Sequence, residues 1–99
     1  MNKTLISEKL TQYSEQLKRY GVKRIGVFGS FVREEETQRS DIDILVEFEK
    51  GLKTFDNYMD LKFFLEELFG TSIDLVTAEA LKPQLKEQIL KEVEYAERL

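Results

Sequence analysis

The chain contains no cysteine and no histidine, and a single proline in 99 residues. Without cysteine there is no disulfide staple, and without either residue no Cys/His zinc site. The missing histidine also removes imidazole as a general base, which leaves carboxylates, Lys, Tyr, hydroxyls and backbone for any chemistry. No apolar run is long enough to cross a bilayer, and the opening MNKTLISEKL lacks the charged-then-apolar layout of a signal peptide. A soluble, cytoplasmic protein is expected, with no membrane partner. Repeats, low-complexity tracts and Pro/Ser-rich linkers are also missing. The formal net charge is −4, and no Lys/Arg cluster stands clear of neighbouring acids, which argues against a direct grip on DNA or RNA. With 41% apolar residues, the chain supplies one modest core and a single domain spanning 1–99.

The pattern that is present alternates helix and strand. Ile6, Leu10, Tyr13, Leu17 and Tyr20 recur at helical spacing up to Gly21, which predicts a first amphipathic helix with a glycine stop. Residues 24–28 form a short strand ending at Gly29-Ser30, and residues 31–39 can hold a short helix with Ser30 as its N-cap. Residues 40–49 carry Ile42, Ile44, Val46 and Phe48 at alternate positions, the strand period. A helix follows over 55–69, closed by Gly70, then a third strand over 72–77. From Pro83 onward Leu85, Ile89, Val93 and Ala96 line one face of a final helix, whose ending suits a mobile tail. The expected order is αβαβαβα: an α/β (α+β) fold with a short mixed β-sheet flanked by helices. The crossover from the second strand to the third is long enough to be right-handed and parallel, whereas the short link before it suits an antiparallel pair.

Asp41 and Asp43 flank one residue, and strand geometry then points both carboxylates to one face with Cα atoms about 6–7 Å apart. Hard divalent cations prefer such oxygens, and a two-metal site for phosphoryl transfer holds its ions about 3.5–4 Å apart. Asp74 would join them from the neighbouring strand, where it interrupts Ile73, Leu75 and Val76 in a position expected to be central. Taken alone, an Asp-x-Asp more often starts a strand as a turn or a solvent-facing edge. Gly29-Ser30 by itself is merely a turn, although such a turn lets backbone N–H groups and a hydroxyl approach phosphate oxygens. Arg33, one turn beyond, reads equally as a phosphate contact or as an ion-pair partner of Glu34, Glu35 or Glu36.

The joint spacing is more specific than its parts. GSFVREEETQRSDIDILVEF, with Gly-Ser, ten residues and Asp-x-Asp, resembles the signature of the DNA polymerase β-like nucleotidyltransferases. The order of elements over most of the chain resembles the stand-alone minimal nucleotidyltransferases (MNT) of that superfamily. The resemblance implies that Gly29 and Ser30 contact a nucleoside triphosphate, ATP in this family. It also implies that Asp41 and Asp43 bind two Mg²⁺ ions, that Asp74 completes the site, and that a hydroxyl attacks the α-phosphorus with loss of pyrophosphate.

Stand-alone members are paired with HEPN-domain ribonuclease toxins and act as antitoxins by adding AMP to a toxin tyrosine. The resemblance implies such a partner here, and a chain without histidine cannot itself be the HEPN member. Two other readings stay open: a binding antitoxin that works by occlusion, and the catalytic subunit of a two-component small-molecule nucleotidyltransferase. A docking surface is expected either on the closing helix, near Tyr95 and Leu99, or on the loop over 51–57; each alone also reads as ordinary core or solvated loop.

Overall fold

The computed structural model describes residues 2–33, 41–97 and 99. The chain opens with α1 (Lys3–Gln12) and α2 (Ser14–Arg19), followed by β1 (Val22–Phe28) and the short α3 (Ser30–Arg33). Then come β2 (Ile42–Phe48), α4 (Phe55–Phe69), β3 (Ile73–Thr77), a 3₁₀ turn (Ala78–Ala80), α5 (Pro83–Glu92) and β4 (Glu94–Tyr95). The expected mixed sheet flanked by helices is present, with strand order β3-β2-β1-β4. β1 runs antiparallel to β2, and β2 parallel to β3.

Strand alternation sorts the sheet into two faces. Ile25 and Val27 of β1, Ile42, Ile44 and Val46 of β2, and Ile73 and Leu75 of β3 share one buried cluster with Ile6, Leu10, Leu17, Leu61 and Leu65 from the helices. Burying a side chain of this size stabilises by about 1.5–3 kcal/mol, so this face holds the fold together. The intervening positions, which include Asp43 and Asp74, fall on the other face.

The structure departs from the sequence pattern in four places. The first helix is divided at Tyr13, whose backbone turns to φ −101° and ψ 23°; its ring lies edge-on to Phe64 at 5.9 Å between centroids. Ser30 is the first residue of α3, not a cap before it; the rest of the helix expected over 31–39 lies outside the described residues.

Asp74 does not sit in a central strand, because β3 is the edge of the sheet. That edge is covered by α4: the Tyr58 hydroxyl donates to the Leu75 carbonyl at 2.6 Å, and the Ile73 N–H donates to Glu66 Oε2 at 3.4 Å. Side chains of a neighbouring helix thus take up backbone groups that an open edge would present to another strand.

The last departure is the end of the chain. α5 stops at Glu92, and Val93 turns to an extended φ/ψ, so that Glu94 and Tyr95 pair with Val27 and Gly26. Helical spacing of Val93 and Ala96 is therefore coincidental; the backbone finds ladder hydrogen bonds on β1 instead. Ala96 and Leu99 pack against the core cluster, where a mobile tail was expected. Tyr95 lies under the Arg24 guanidinium at 4.3 Å.

Gly26 makes this docking possible. A Cβ there would meet the Glu94 carbonyl oxygen at 2.7 Å and Val93 Cγ2 at 2.8 Å. Gly26→Val is expected to cost about 1–3 kcal/mol and to release residues 93–96 from β1. Amide exchange checks this: protection should be lost at Ala96, whose N–H bonds the Ile25 carbonyl at 2.9 Å, and kept in β2. Unchanged protection at Ala96 would mean that the strand pair tolerates a side chain at this position.

Candidate active site

Pairing registers bring the chemistry-bearing residues together. Asp43 stands opposite Phe28 on β1 and opposite Asp74 on β3. It therefore lies where the end of β1 and the starts of β2 and β3 meet. Immediately after β1, Gly29 takes the left-handed conformation at φ 78°, and its missing side chain leaves the space that the Asp43 carboxylate fills. A Cβ on Gly29 would overlap the Asp43 carboxylate itself. Both the positive φ and the close approach demand glycine here.

The turn is held from two sides. The Ser30 backbone N–H donates to the Asp43 carboxylate, and the Gly29 N–H donates to Glu92 Oε1 at 3.0 Å. The two amides expected to meet phosphate are thus engaged with carboxylates. Arg33 pairs with Glu92 at 3.2 Å; the alternative partners Glu34, Glu35 and Glu36 lie outside the described residues. Glu92 was not legible in the sequence. It is one of 19 acids, separated from Gly29 by 63 positions, and no local motif marks it.

Asp43 is pushed up from an ordinary 3.8 to about 6. Burial is the main cause, followed by the charge of Asp74 and a hydrogen bond shared with it, while the Ser30 N–H pulls the other way. Asp43 therefore keeps its proton up to about pH 6, where the hydrogen bond to Asp74 places it between the two carboxylates. Asp74 is exposed on the edge strand, and Asp41, exposed just before β2, adds only the smallest part of the effect. The structure brings Asp43 and Asp74 together and leaves Asp41 beside them. Among the described residues, no group of three His, Cys, Asp or Glu is gathered closely enough to hold a metal ion.

The donor chemistry of the pair nevertheless suits a hard divalent cation. A shared proton between two carboxylates marks a place where positive charge is wanted, and Mg²⁺ favours carboxylate oxygens. In chemical terms the site offers a carboxylate pair, a hydroxyl on a tight turn and a guanidinium one helical turn away.

The nucleotidyltransferase domain model matches residues 10–96, a span that contains every element of the site. The chain belongs to the nucleotidyltransferase domain family. This nucleotidyltransferase is 42% identical over 91 residues to the protein adenylyltransferase MntA of Thermococcus cleftensis, covering 91% of each chain. Its structure is similar to one provisionally described as a minimal nucleotidyltransferase, with a TM-score of 0.80, 36% identity and 95% of both chains covered. It shares its fold with a chain of the tri-AMPylated Shewanella oneidensis HEPN toxin complexed with an MNT antitoxin. That match has a TM-score of 0.63 at 18% identity, and covers 94% of this chain and 73% of the other.

The raised Asp43 carboxyl makes stability depend on pH. The unfolded chain loses this proton near 3.8 and the folded one near 6, so between those values the folded state binds more protons and its stability falls as pH rises. Thermal melts in divalent-free buffer should show this decline, and Asp43→Asn should flatten it. A wild-type melting temperature that rises across the window, or an equal slope in the variant, would contradict the pairing.

Proposed function

We propose that this nucleotidyltransferase transfers AMP from ATP to a tyrosine of a HEPN-domain partner and serves as its antitoxin. The observation that carries the proposal is the meeting of Asp43 and Asp74 at the Gly29-Ser30 turn, in a chain 42% identical to a protein adenylyltransferase along 91% of its length. Similarity of fold to an MNT chain complexed with an AMPylated HEPN toxin supports the choice of partner.

In this reading Ser30, through its hydroxyl, and Arg33 hold the triphosphate, beside a turn whose amides already serve Asp43 and Glu92. Asp43 and Asp74 would hold Mg²⁺, joined by Asp41 once its exposed side chain swings toward them; two such ions would neutralise charge on the phosphates and on the leaving pyrophosphate. The acceptor hydroxyl forms a bond to the α-phosphorus as the bond from that phosphorus to the β-bridging oxygen breaks, releasing pyrophosphate. Asp74, the solvent-facing member of the pair, accepts the hydroxyl proton. Phe55, 78% exposed, lines with Lys53, Thr54 and Tyr58 an open hollow of about 490 Å³ that runs along Leu75 and Val76 to Thr77 and Ala80, toward the end of β3 away from Asp74. This is the neighbourhood of the loop expected to dock a partner. A net charge of −4 suits a protein acceptor better than a bare nucleic acid.

Asp74→Asn tests the proposal. The amide keeps the shape of the carboxylate but cannot take the proton and is a weak metal ligand. AMP incorporation on a co-expressed HEPN partner, read by mass spectrometry, should fall by about 10²–10³-fold or more, while the complex still co-purifies. A variant that transfers no AMP yet neutralises the toxin fully would identify occlusion as the mechanism. Transfer at the wild-type rate would remove Asp74 from the site.

A further inference from the structure

Glu92 is the last residue of α5, and its side chain is only 15% exposed. Its oxygens reach two elements at once. Oε1 accepts the Gly29 N–H at 3.0 Å, and Oε1 and Oε2 accept from Arg33 Nη1 at 3.2 and 3.3 Å. A fully exposed ion pair contributes little, but a shielded carboxylate that also accepts a backbone amide makes charge-assisted bonds in fixed directions. Two and three residues further on, Glu94 and Tyr95 are paired with Val27 and Gly26. Glu92 is therefore tied through β4 to the same strand whose end carries Gly29. That pairing holds the Glu92 backbone beside the turn, so its carboxylate needs no movement of the chain to reach Gly29 and Arg33.

We propose that Glu92 is a positioning residue for the polyphosphate: it sets the Gly29 peptide in the turn and anchors the Arg33 guanidinium where the β- and γ-phosphates lie. The inference rests on the reading of this site as one that takes a nucleoside triphosphate. Its consequence is that the closing segment of the chain, which carries no signature residue, decides how well the Gly-Ser turn and Arg33 are presented. A flexible Arg loses side-chain entropy each time it closes on a phosphate, and anchoring it beforehand removes part of that cost.

The experiment uses the full chain and compares Glu92→Ala, Glu92→Gln, Arg33→Ala and the Arg33/Glu92 double alanine variant. Calorimetry with AMP-PNP and Mg²⁺, and separately with AMP, reads the phosphate contacts. Glu92→Ala should weaken AMP-PNP about tenfold or more and AMP by less than about threefold, since AMP lacks the phosphates Arg33 addresses. In the Arg33→Ala background the same change should add less than about twofold. Glu92→Gln keeps an acceptor for Gly29 without the charge for Arg33, so it should retain Gly29 amide protection and still weaken AMP-PNP. Equal weakening of both nucleotides, or a full additional loss in the double variant, would reduce Glu92 to a structural contact. Tighter AMP-PNP binding by Glu92→Ala would make it a competitor of the phosphates and overturn the proposal.

Amide exchange at Gly29 in nucleotide-free protein reads the clasp independently. Protection should drop in Glu92→Ala, and unchanged protection would refute the clasp whatever the nucleotide data show. Wild-type protein that binds no AMP-PNP, with Gly29 still dependent on Glu92, would instead defeat the triphosphate reading and the positioning role built on it.

Discussion

The site depends on one close contact, the carboxylate of Asp43 seated in the space that Gly29 leaves empty. The contact requires β1 to end where it does, so that Phe28 lies opposite Asp43. It also requires the backbone to turn at once into the left-handed region, at φ 78°, so that the next amide points at the carboxylate. Any side chain at position 29 would separate the two strands at the place where their polar ends must meet. The sheet's core face fixes this register by packing: a slip of one residue in β2 would drive Ile42, Ile44 and Val46 out of the cluster they share with α1 and α4.

The same packing sets the electrostatics. Because Asp43 is partly shielded and stands beside Asp74 in the parallel register, it carries a proton up to about pH 6. In a chain of net charge −4, a triphosphate adds still more negative charge, and the carboxylates and phosphates become compatible only through cations. That requirement is the physical basis for proposing divalent ions at this site, and the exposed position of Asp74 on the edge strand leaves them a route to it. Carboxylates buried in the hydrocarbon core would have no route to cation or substrate.

Closure of the molecule is arranged around the turn. The covered edge of β3, where Tyr58 and Glu66 meet backbone groups, keeps Asp74 on an exposed strand without offering that strand for uncontrolled pairing. On the opposite side β4 joins β1 through a glycine, and the residue just before it, Val93, leaves the helix so that Glu92 can reach back to Gly29 and Arg33. Glu92, 63 positions along the chain from Gly29, thus braces the turn.

Local spacing in the sequence determined a great deal. The period-two run on β2 and the short strand segments on either side marked the sheet, the helical runs ending at Gly21 and Gly70 marked helix stops, and the interval from Gly29-Ser30 to Asp41 and Asp43 marked the family. These features are legible because each is set by backbone geometry over a few residues. Only the tertiary structure placed Asp74 on an edge strand and not a central one, turned residues 93–95 from helix to strand, and brought Glu92 to Gly29. Those outcomes depend on which strand finds a neighbour and on a glycine, Gly26, that lets another backbone approach. Pairings between residues about 60 or 70 positions apart are selected by packing and register, and no short window of sequence contains that information.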